Sequence, residues 1–143
     1  MRKITATLIL FIIITGFSSD YKNMYGNSTK PFCGVMSFYA ENNTAPEDNC
    51  TLYSLGIVYP GLPITVLPIN YSAGQSGNFG SFNTGGPAGT LCLLRLHVIG
   101  GCSMVRLYRN GILLQTLVGQ PHSQFYHFYN VPSACAEYQI IVD

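Results

Sequence analysis

Across residues 92–118 one set of alternate positions is apolar and the other carries the polar side chains Arg95, His97, Arg106 and Gln115, with Gly100-Gly101 and Asn110-Gly111 interrupting the pattern. Period two marks a half-covered β-strand, in which successive side chains point to opposite faces. Both dipeptides supply the positive φ that a two-residue hairpin turn needs, so the stretch predicts a three-stranded antiparallel meander. The turns also predict a register. Arg109 should face Ile112, Leu107 should face Leu114 and Val105 should face Thr116, with Leu96 opposite Val105 and Leu94 opposite Leu107 across the other turn. One face then collects Cys92, Leu94, Leu96, Val98, Val105, Leu107, Ile112 and Leu114, while Arg95, His97, Arg106 and Gln115 take the other.

Residues 32–40, 50–59, 64–70, 124–131 and 138–142 read as further strands. Pro60-Gly61 fits the two central positions of a type II turn. Pro68 cannot donate to a ladder, which places its strand at an edge or a bulge. The run Phe125-Tyr126-His127-Phe128-Tyr129 carries aromatics on both faces and suits a strand inside a sheet. Residues 72–90 hold glycine at 74, 77, 80, 85, 86 and 89 and should form no regular element. They are either a floppy connector or a binding loop with Phe79 and Phe82 as its apolar tip. No helical periodicity follows the first eighteen residues. The expected fold is therefore all-β: an antiparallel two-layer β-sandwich of immunoglobulin-like type, with about seven to eight strands over residues 32–143.

The N-terminus changes where this domain would work. Met1-Arg2-Lys3 and the apolar run 4–15 resemble a secretory signal peptide ending at Ser18, followed by a flexible lead over residues 19–31. No other apolar segment is long enough to span a bilayer. Removing residues 1–18 takes away two of the seven basic residues, leaving five against six acidic ones. That balance has no basic stripe for phosphate neutralisation and excludes nucleic acid as a partner. Charged residues are only 9% of the chain, and none lies between Asp48 and Arg95. Such a charge-poor segment invites self-association unless sugars, partners or polar side chains cover it.

Five cysteines in an exported chain suggest disulfides, and the odd number leaves one thiol over. Fifteen arrangements are possible. Cys92 falls on the apolar face and is the expected free thiol, whereas Cys33, Cys50, Cys102 and Cys135 stand at strand starts. The pairing favoured is Cys33 with Cys50 and Cys102 with Cys135, with other pairings or none left open. Asn27, Asn42, Asn49 and Asn70 open glycosylation sequons.

Little in the chain has catalytic spacing. His97, His122 and His127 are too scattered for a zinc site, no nucleophile motif surrounds a serine or cysteine, and the acids fall in loops. The expectation is no catalytic residue, no metal and no cofactor. Arg95 and Arg106 would stand opposite each other on the meander's polar face, where like charges repel. Either Gly100-Gly101 is not a two-residue turn, or the side chains splay into water, or an anion or acidic partner sits at Arg95, Arg106 and His97.

Residues 105–114, 125–132 and 138–142 resemble the closing strands of immunoglobulin-like and prealbumin-like sandwich modules of bacterial surface proteins, the Cna B-type repeat being one such family. That resemblance implies a stalk, adhesin or carbohydrate-associated module. Two departures stand out: Cys135-Ala136-Glu137 replaces the usual glycine before the final tyrosine, and the matching strands hold no lysine for an intramolecular isopeptide bond. The expected function is a secreted, non-catalytic binding or adhesion module whose partner is an extracellular protein or glycan. The alternatives are a small secreted hydrolase drawing on the histidines, or a structural subunit of an extracellular assembly.

Overall fold

Apolar residues at alternate positions give each strand one face to bury, and two sheets meet over those faces. The computed structural model describes residues 34–143. The strands are β1 (Val35–Asn42), β2 (Thr51–Val58), β3 (Thr65–Ser72), β4 (Ser76–Asn83), β5 (Leu91–Ile99), β6 (Met104–Arg109), β7 (Ile112–Val118), β8 (Gln124–Pro132) and β9 (Ala136–Val142). One sheet has the order β4-β1-β9-β6-β7 and the other β3-β2-β5-β8. Every pairing is antiparallel except that of β1 with β9. The result is a β-sandwich with one core. Phe38, Leu107, Tyr138 and Ile140 of the first sheet and Leu55, Ile57, Leu94, Leu96 and Phe128 of the second are fully buried in it. Burying each aliphatic side chain is worth about 1.5–3 kcal/mol.

The meander does not form as the alternation suggests. Its second half is real: Asn110 and Gly111 take φ of 47° and 78°, and Arg109 pairs with Ile112. A bulge between Leu107 and Tyr108 then sets Leu107 against Gln115 and Val105 against Leu117, one residue away from the expected register. Ile112 is consequently 70% exposed, while Leu114 and Leu117 pack on the core. The first half is a crossover, with β5 in one sheet and β6 in the other. Gly100 has φ of 86°, and a side chain there would collide with the Asn49 carbonyl oxygen and lie 3.1 Å from the Cys50 Cα. Glycine is required by this close approach to another segment rather than by a hairpin turn.

Two other regions depart from expectation. Residues 76–83 are not a loop but the edge strand β4, paired with β1. Gly77 and Gly80 leave room there for the Tyr71 hydroxyl and the Leu67 side chain of the facing sheet. The aromatic run lies on β8, which is an edge strand rather than an interior one. Pro68 does lie on an edge strand beside a bulge, and the Pro60-Gly61 turn closes with a 3.2 Å bond from the Leu62 amide to the Tyr59 carbonyl.

Cys50, Cys92 and Cys102 are free thiols, which overturns the disulfide roles expected of Cys50 and Cys102. Cys135 is not a free thiol. Cys33 lies outside the described residues, as do the signal-peptide segment 1–18, the lead 19–31 and Asn27. Asn42 is fully buried. Its amide donates to the Cys50 and Tyr71 carbonyls at 3.1 and 3.0 Å, and its oxygen accepts from the Thr44 hydroxyl at 2.7 Å. That sequon is a structural asparagine, closed to glycosylation in the folded chain, whereas Asn49 and Asn70 are exposed.

Candidate binding face

The residues singled out from sequence separate into three places. Phe79 and Phe82 form no apolar tip: Phe82 is in the core, and Phe79 stacks on Phe38 with centroids 5.9 Å apart. A bulge between Phe38 and Tyr39 leaves Phe79 as the extra residue of β4, so two phenylalanines three positions apart both turn inward. Arg106 belongs to the outer side of the five-stranded sheet. It is ion-paired with Asp143 and donates to the Tyr108 hydroxyl at 3.1 Å, and the Asp143 partner holds its pKa above the ordinary value. Arg106 is therefore not opposite Arg95, and it has its acid within the fold.

Arg95 and His97 lie on the outer side of the four-stranded sheet, and the registers build the surface around them. One row crosses the sheet as Ser54, His97 and Phe125; the next as Gly56, Arg95 and His127. Their neighbours Leu55, Leu96 and Tyr126 point into the core, so alternation sends these rows outward. A bulge between Leu52 and Ser54 makes Tyr53 the extra residue on β2, which turns its ring onto His97 at 5.3 Å, edge to face. His97 in turn stacks on Phe125 at 4.3 Å. The Arg95 guanidinium carbon lies 4.9 Å from the Phe125 centroid, and His127 stacks on Tyr129 at 5.9 Å. Rings in such contact support one another by about 0.5–1.5 kcal/mol a pair and hold fixed orientations. Tyr53, Phe125 and Tyr129 nevertheless remain 48%, 44% and 61% exposed.

This face is aromatic and partly open to solvent. It offers ring faces for stacking together with the donors of Arg95 and the histidines. Tyr53, Phe125, His127 and Tyr129 were not anticipated as members. The spacing 125, 127, 129 does signal one shared face, but aromatics at 126 and 128 disguised which face was free. Tyr53 depends on a bulge, and no local pattern announces it.

A second polar cluster sits at one end of the sandwich. The Cys102 Sγ is 3.2 Å from the Tyr126 hydroxyl, which accepts a 2.9 Å bond from the Gln120 amide. Burial, with the Cys102 bond, pushes the Tyr126 phenol up to about 12. Burial also raises the Cys50 thiol. An open cleft of about 500 Å³ beside Cys102 is lined by Glu47, Asp48, Gly101, Ser103, Gly119 and Pro121. A thiol held neutral by burial, as Cys50 is, is a poor nucleophile at neutral pH. Among the described residues no group of three or more His, Cys, Asp or Glu could hold a metal ion, and no helix is long and apolar enough to cross a membrane. Comparisons with protein-family models, with curated proteins and with solved structures gave no match for this chain.

Proposed function

We propose that the protein is a secreted, non-catalytic binding module that holds a glycan on the outer face of its four-stranded sheet. The observation that carries this reading is the contiguous row Tyr53, His97 and Phe125, whose rings touch while two of them stay open to solvent. A sugar ring presents a C–H face that packs on an aromatic ring and an equatorial rim of hydroxyls that suits flanking donors. Aromatic bodies with polar neighbours are the usual equipment of such recognition. The signal-like N-terminus and the resemblance of the closing strands to Cna B-type modules favour a place outside the cell.

A glycan array probed with the purified chain, followed by calorimetry on the hits, tests the reading. Phe125→Ala and Tyr129→Ala should each weaken binding by about tenfold, the worth of one stacking contact, with only the small fall in melting temperature that loss of their ring contacts brings. Failure of the wild-type chain to bind any glycan would remove the proposal.

A second reading, a self-associating structural subunit, has its own support. The edge strand β7 holds no charged residue and exposes Ile112, Leu113 and Val118 at 70%, 49% and 80%. An unprotected edge of this kind can pair with another strand. Sedimentation of the chain as a monomer at high concentration would dismiss it.

A further inference from the structure

We infer that the glycan is an acidic one, its carboxylate or sulfate held by Arg95. This rests on the glycan-binding reading and adds to it the charge of the ligand. None of β2, β3, β5 and β8 contains an aspartate or glutamate, and Arg95 is the one lysine or arginine in those four strands. Among the described residues Arg106 has an ion-pair partner and Arg95 has none.

The geometry keeps that guanidinium in place. Gly56, its cross-strand neighbour on β2, is buried, and a Cβ at Gly56 would lie 3.7 Å from the Arg95 Nε. The absent side chain gives the guanidinium a shallow seat across β2. On the β8 side the Phe125 ring lies 4.9 Å from the guanidinium carbon. An arginine held between a glycine seat and a ring has already lost part of its rotamer freedom, which lowers the entropy cost of engaging a ligand. Its planar fork matches a carboxylate or a sulfate with two parallel hydrogen bonds. A sugar stacked on Phe125 or Tyr53 would bring an acidic substituent within reach of this fork. A neutral sugar would leave the charge unanswered.

Oligogalacturonate and its fully methyl-esterified form share one backbone and differ in charge; sulfated and unsulfated dextran form the second pair. Calorimetry of the full chain with each should show the acidic member of at least one pair bound ten- to a hundredfold more tightly, the range expected of a hydrogen bond to a charged group. The preference should shrink as salt is raised. Arg95→Gln should bring acidic binding down to the level of the neutral member measured with the same variant, and Arg95→Lys should recover only part of the preference. Which pair responds distinguishes carboxylate from sulfate. Equal binding of acidic and neutral forms, or an acidic preference that survives Arg95→Gln, overturns the inference and leaves the aromatic platform standing. Loss of binding in Phe125→Ala for both members of a pair keeps the platform in place independently. No binding of any sugar by the wild-type chain overturns both.

Discussion

On the outer side of the five-stranded sheet, Arg106 reaches Asp143 and Tyr108, and the Glu137 amide is held by the Asn110 side chain at 3.0 Å. On the outer side of the four-stranded sheet, Arg95 has a ring and a glycine for neighbours, and three aromatics stand open. Both surfaces obey the same alternation and back onto the same core. They differ in where their polar groups find partners. One face pairs its Arg106 charge with Asp143, although the Arg106 Nε finds no partner; the other holds an arginine and stacked rings that stay open to solvent. An exposed aromatic patch of that kind is the place to look for a partner.

The contrast requires that the inner faces be equivalent, and truncation of a core leucine on each side tests this with the largest expected effect. Leu96 lies beneath the open face and Leu107 beneath the closed one, both with no exposure. Changing either to alanine should cost about 2–5 kcal/mol in a denaturant melt. Leu113, 49% exposed, should cost clearly less. A mild Leu96→Ala beside a severe Leu107→Ala would mean the four-stranded sheet is not anchored as its burial implies, and the open face could not then be a rigid platform.

That both leucines point inward was legible from alternation alone, as were the β6–β7 hairpin, the turn at Gly61 and the edge position of Pro68. What alternation could not reveal was the sheet to which each strand belongs. Gly100-Gly101 and Asn110-Gly111 carry the same local signal, yet the first crosses between sheets because the chain there must press against Asn49 and Cys50. That contact joins residues about fifty positions apart, and no window on the sequence contains it. The bulges are the second obstacle. They turn Phe79 inward, shift Leu117 onto the core beside the expected Leu114 and swing Tyr53 outward, each by breaking the period on which strand reading depends. Arg95 and His97 were picked out correctly as surface residues. Arg106 would join them only across a hairpin at Gly100-Gly101, which the crossover between sheets replaces, and Phe125 and Tyr129 stay hidden in the sequence because aromatics at five successive positions suit an interior strand as well as an edge one.

Alkaline pH should weaken the fold through its interior. Burial lifts the Cys92 thiol from 9.0 to about 11, its Sγ lying 3.3 Å from the Val131 carbonyl oxygen, and burial also raises the Tyr138 phenol on the opposite sheet. Each group is favoured in its neutral form by the folded chain. The stability this supplies is complete below the unfolded pKa and is lost as pH rises through the folded one. For Cys92 the loss falls between pH 9 and 11 and amounts to at most about 3 kcal/mol. Urea melts across that range should show it, and Cys92→Ala should flatten the decline. An unchanged decline in the variant would assign the effect to the tyrosines instead.

The smallest effect separates the two outer faces most directly. Asp143 is the acid that answers Arg106, and both side chains are partly exposed. Exposed pairs contribute little and are screened by salt. Asp143→Asn should therefore lower stability slightly in dilute buffer and not measurably at high salt. Arg95→Gln should show no ion-pair loss that high salt abolishes, because no acid among the described residues pairs with that charge. Paired urea melts of the two variants at low and high salt measure this. If Arg95→Gln destabilised the chain as much as Asp143→Asn, and salt abolished that loss, the arginine would already be answered within the protein. The open face would then be a second closed one, with no charge left to offer a ligand.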